Sequence, residues 1–130
     1  MTNQSCEYYR EKLKDHDVGL HETRPKIHRT QETIQRLKIH ATNIENQIRQ
    51  TELQGQIGGI ASRFGPPGVI AAGLVKLEAE IRIARLKDEF DNIEQQISAQ
   101  ERKLDDLHQD LNIHEFGKGF AQDQLVAHNC

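Results

Sequence analysis

The side chains in this sequence that could do chemistry are poorly placed to do it together. Seven histidines are present: His16, His21, His28, His40, His108, His114 and His128. Metal ligands on a helix sit three or four residues apart, as in H-E-x-x-H, so that both leave the same face. No two of these histidines have that spacing: His21 and His28 are seven apart, and His108 and His114 are six apart. The reading is surface or seam-edge histidine, with no metal and no cofactor. Cys6 and Cys130 lie near the two ends, without C-x-x-C or Cys/His spacing. They read as free thiols in a reducing compartment, unless the fold brings the ends together. Ser5, Ser62 and Ser98 occupy no G-x-S-x-G turn. The carboxylates are interleaved with cations at helix-surface spacing, the pattern of a solvated face rather than a catalytic pair. These residues predict a protein that is not an enzyme.

The elements that would have to position such residues are long helices. Apolar residues make up 35% of the 130-residue chain and aromatics 5%. That composition fills a narrow seam between helices but not a thick core. Ile27, Thr30, Ile34, Leu37, Ala41, Ile44, Ile48 and Thr51 alternate spacings of three and four, the seam of a coiled coil. Thr23 as N-cap and Pro25 in the first turn predict a helix over 23–54. Leu86, Phe90, Ile93, Ile97, Gln100, Leu104, Leu107 and Leu111 repeat the alternation, predicting a helix over 69–114 that Gly117 and Gly119 stop. Cys6, Tyr9 and Leu13 share one face of a short helix over 4–16, broken near Gly19. Residues 115–130 form a tail, with Phe120, Leu125 and Val126 available to pack back.

Between the long helices lies an apolar tip over 55–68. Ile57, Ile60 and Phe64 precede the breaker Gly65-Pro66-Pro67-Gly68, and Val69, Ile70, Leu74, Leu77 and Ile81 follow it. The breaker is the natural hinge at which the chain reverses. The start of the second long helix is apolar on two faces. Ala79, Ile83 and Leu86 continue into the seam, whereas Ile70, Leu74, Leu77, Ile81 and Ala84 form a second stripe that needs another partner. Each arm of the tip is far shorter than the roughly 20 residues that span a bilayer, and Arg63 opposes deep insertion.

Charge is distributed unevenly. Residues 24–49 hold six cations against two acids, and residues 88–115 hold nine acids against two cations. Such segments complement one another within a hairpin or between subunits. The net charge of −3 does not call for a nucleic-acid partner. The N-terminal residues lack an apolar signal segment, so a cytoplasmic location is expected. Taken together, the residues predict a single all-α domain: an elongated antiparallel helical hairpin with a short N-terminal helix and an apolar tip. The expected function is non-enzymatic protein–protein interaction or assembly, as a scaffold, adaptor or inhibitor that self-associates or binds another protein. The alternative is a membrane-active helical protein making transient contact through residues 55–75.

Overall fold

A computed structural model describes residues 2–61 and 66–130, and the side chains of residues 4–55 and 73–130. It contains two α-helices, α1 (Thr2–Ala61) and α2 (Pro66–Ala127), which pack against each other. The protein is an all-helical hairpin. The helices contain 60 and 62 residues, so each can cover the other without a separate N-terminal piece.

Several expected boundaries are corrected. The short helix over 4–16 and the long helix over 23–54 are one helix, α1. Thr23 is not a cap but a buried interface residue, and Pro25 lies inside α1. An interior proline removes one backbone hydrogen bond and costs about 3 kcal/mol. Its position limits the damage, because Pro25 is exposed and water can reach the freed carbonyl. Thr23 and Ile27 on either side of it are buried, which favours a continuous helix. Similarly, α2 starts at Pro66 rather than 69, with proline in the first turn where its missing N–H is harmless. It does not stop at Gly117 or Gly119. The tail expected at 115–130 is its last turns.

The true stop of α2 is Asn129. This residue has φ 55°, the left-handed conformation in which Asn is tolerated better than most residues. The amide of Cys130 donates to the carbonyl of Leu125 at 2.9 Å, and that of Asn129 to Val126 at 3.1 Å. This pair of bonds is a Schellman motif, which satisfies carbonyls that the helix end would otherwise leave open.

The chain divides into two compact units. The middle unit is Gln35–Ala99, and the terminal unit combines Met1–Ile34 with Gln100–Cys130. In the middle unit Ala41, Ile44, Leu86, Ile93 and Ile97 form the core, with Leu37, Ile48 and Phe90 packed against it. Ile44 is 1% exposed, and full burial of such a side chain contributes about 2–3 kcal/mol. In the terminal unit Cys6, Leu20, Ile27, Ile34 and Ala121 are buried, with Thr23 and Thr30 among them. Thr30 and Thr51 fit an apolar interface because each hydroxyl donates to a carbonyl of its own helix, Lys26 at 2.8 Å and Gln47 at 2.7 Å.

Cys6 and Cys130 are joined by a disulfide, with Cα atoms 5.9 Å apart, correcting the expectation of free thiols. The Schellman turn delivers Cys130 to Cys6. The bridge links positions 124 apart in sequence, so it ties the ends of the hairpin together. Among the described residues no helix is long and apolar enough to cross a membrane.

Candidate functional site

Two features rise above the general helix interface: an uncovered apolar stripe on α2 in the middle unit, and a polar cluster in the terminal unit.

Ala79 and Leu86 turn toward α1 and are buried, with Ile83 partly so. Leu74, Leu77 and Ile81 lie on another face of the same helix and are 59%, 54% and 47% exposed. Spacings of three and four place them in a row. Val75 at the edge and Ala84 beyond it are exposed as well. Of the other residues expected in this surface, Phe64 and the hinge residue Gly65 lie outside the described residues. Ile57 and Ile60 fall in α1, and Val69 and Ile70 in α2, where the helix is described but their side chains are not. Pro66, Pro67 and Gly68 belong to the first turn of α2.

The terminal cluster is built where the two helices approach closely at Gly19 and Gly117. His16 on α1 and His114 on α2 meet with Nδ1 atoms 3.1 Å apart, their rings at 62°. Each ring rests on a glycine of the opposite helix. A Cβ placed on Gly19 would overlap the His114 imidazole, and one on Gly117 would overlap that of His16. With the rings in these positions no side chain fits beneath them, so a larger residue at either glycine would have to displace the ring above it. The arrangement is reciprocal: in each helix the glycine follows the histidine by three residues, so it sits one turn on along the same face. Asp17 and Lys118, the neighbours of His16 and Gly117, form an ion pair of 2.7 Å across the helices.

A hydrogen bond between two ring nitrogens needs one to carry a proton and the other to be bare. One imidazole therefore donates from Nδ1 while the other accepts. Both rings are partly buried, so the pair is shielded without being sealed from solvent.

Aromatic residues surround the disulfide end. Tyr9 stacks on His128 with ring centroids 5.8 Å apart and an interplanar angle of 17°. It also meets Phe120 and Tyr8 edge-on. Of the residues available to pack back, Leu125 is partly buried, but more than half of Phe120 is exposed, and Val126 is exposed as well. Ala121 is buried in their place, because its small side chain suits close-packed backbones.

Sequence spacing missed the histidine pair because the two residues are 98 positions apart. A signal was nevertheless present. Continued backward from Ile27, the alternation of three and four falls on Thr23, Leu20, His16, Leu13, Tyr9 and Cys6. Continued forward from Leu111, it falls on His114, Lys118, Ala121, Leu125 and His128. Both partners thus occupy seam positions. Reading Gly19 and Gly117 as helix breakers concealed that register. The other histidines have separate settings: His28 pairs with Glu32 one turn away on an exposed surface, and His21 and His40 are exposed. Among the described residues no group of three or more His, Cys, Asp or Glu is arranged to hold a metal ion.

The chain has no match among protein-family models, curated proteins or solved structures.

Proposed function

We propose that this protein is a non-enzymatic interaction or assembly protein, a coiled-coil hairpin that associates with further copies of itself. The observation that carries the reading is the row Leu74, Leu77 and Ile81. Three large aliphatic residues remain about half exposed on a helix whose other face already packs in the hairpin. Full burial of such side chains contributes about 1.5–3 kcal/mol each, so covering the row with the same row of a second hairpin supplies a driving force for association. The charged neighbours Lys76, Glu78, Glu80 and Arg82 give the row a polar rim of both signs. That rim suits a protein surface better than a lipid one.

The disulfide supports action in an oxidising compartment rather than the cytoplasm expected from the N-terminal residues, since such bonds persist where thiols are not kept reduced. The expected absence of enzymatic activity remains part of the proposal.

Sedimentation equilibrium over a wide concentration range tests the reading. The wild type is expected to associate reversibly, and Leu77→Glu combined with Ile81→Glu is expected to be a folded monomer. A wild type that stays monomeric throughout overturns self-association. Dye release from liposomes by the wild type, abolished in the same variant, would instead favour the membrane-active alternative.

A further inference from the structure

We propose that His16 and His114 form a binding site for a first-row transition-metal ion, of the Zn2+, Ni2+ or Cu2+ type, at the interface of α1 and α2. No two histidines in the sequence have metal-ligand spacing within one helix. The fold supplies across the interface the juxtaposition that the sequence lacks.

The donor geometry is already set. Imidazole nitrogens bind such ions at about 2.0–2.1 Å. Two donors held at tetrahedral or octahedral angles around one ion therefore stand about 2.8–3.4 Å apart. The Nδ1 atoms of His16 and His114 are 3.1 Å apart. Small ring rotations are enough to aim both lone pairs at a shared ion in place of the shared proton.

Each ring is also bounded on one side by the backbone of the opposite helix. His16 presents its Nε2, Cε1 and Cδ2 edge to Gly117, and His114 presents Cε1 and both nitrogens to Gly19. The backbone beneath each ring acts as a shelf. This preorganisation lowers the cost of binding, because the ligands are immobilised during folding rather than at capture. Imidazole is a ligand suited to zinc, copper and nickel, and a poor one for calcium or magnesium.

The proton balance is simple where both rings are neutral. The hydrogen-bonded pair contains one ring with its proton on Nδ1 and one with its proton on Nε2. On capture of M2+ the first ring loses its proton from Nδ1 and takes one from water at Nε2. Both Nδ1 lone pairs then bind the ion, and no net proton is released. Water fills the remaining positions, since no third protein ligand joins the pair among the described residues and Asp17 is engaged by Lys118. The proposal is accordingly for a modest site that fastens the two helices together, not for a closed structural centre.

The test uses the untagged full-length chain with its disulfide intact at pH 7.5. Zn2+ and Ni2+ are titrated calorimetrically into the wild type, His16→Gln, His114→Gln and His108→Gln. The expected result is a single equivalent bound by the wild type and by His108→Gln, and about tenfold or greater weakening in each of the other two. Equal binding by all four proteins, or no binding by the wild type, overturns the site. Circular dichroism checks that the variants are folded. An independent readout follows the imidazole resonances of the wild type during Zn2+ addition. Saturable shifts confined to His16 and His114 support the site, and shifts spread over the exposed His21, His28 and His40 overturn it.

Discussion

The middle and terminal units of this hairpin solve the same packing problem with different chemistry. In the middle unit Ile44, Leu86, Ile93 and Ile97 meet across the interface, and aliphatic burial is the principal stabilising contribution. The terminal unit also buries aliphatic residues, Leu20, Ile27 and Ile34, but mixes them with other chemistry. At comparable seam positions it places two histidines, glycine beneath each of them, an alanine and two threonines, with a disulfide at its end. Small residues let backbones approach, but they bury little apolar area. Cohesion there combines the burial of Leu20, Ile27 and Ile34 with a covalent bond, a shared proton and the Asp17–Lys118 ion pair. The lesson is that a continuous heptad pattern does not imply uniform stability. The same register can hold an oily seam or a polar, chemically addressable one.

This contrast can be broken most severely at the disulfide. Cys6→Ser is expected to lower stability by about 5 kcal/mol, following the chain-entropy estimate for a closed loop of more than 100 residues. Urea unfolding measures the total. Native-state hydrogen exchange should show that the loss of protection begins in the terminal unit, around Leu20 and Ala121, while Ile44 and Ile93 retain theirs. Uniform loss along both helices would remove the distinction between the units.

In the middle unit the largest single effect belongs to Ile44→Ala. The fully buried side chain leaves a cavity between the helices, and a loss of about 2–4 kcal/mol is expected in the midpoint of chemical denaturation.

The glycines test close approach by sign. In an ordinary helix Gly→Ala stabilises by about 1 kcal/mol. Gly119 has nothing near its missing Cβ, so Gly119→Ala is expected to stabilise by about that amount. Gly117→Ala, two residues earlier, is expected to destabilise by about 1–3 kcal/mol because the new methyl group overlaps His16. Adding His16→Ala to Gly117→Ala should recover most of that loss, a coupling that a double-mutant cycle quantifies. Two stabilising Gly→Ala changes would rule out the cradle.

The smallest expected effect is at Thr51→Val. The buried hydroxyl bonds a carbonyl of its own helix that already takes part in helical bonding, so an isosteric methyl should change stability by less than about 1 kcal/mol, toward stabilisation. Thr42→Val, where the hydroxyl makes the same kind of bond on an exposed surface, should be close to neutral in thermal melts.

How much of this was legible depended on whether the information was local. The alternation from Ile27 to Thr51 and from Leu86 to Leu111 identified the interface, because helical periodicity is written in neighbouring residues. The outward row Leu74, Leu77 and Ile81 was likewise visible as a second stripe. The ends of the helices were not. Gly19, Pro25, Gly117 and Gly119 are all breakers by propensity, a preference that tertiary packing overrides. The actual terminator, Asn129, carries a weaker signal than glycine.

The sequence by itself thus determined the helical class, the two-sided start of α2 and the narrow, aliphatic seam of the middle unit, since each follows from spacing along one segment. Only the tertiary structure decided that Cys6 meets Cys130 and that His16 meets His114. It also decided that two glycines serve as shelves rather than breaks. Those outcomes depend on the register between distant segments of the chain. That register is set by packing between the two helices and not by any short run of residues within either one.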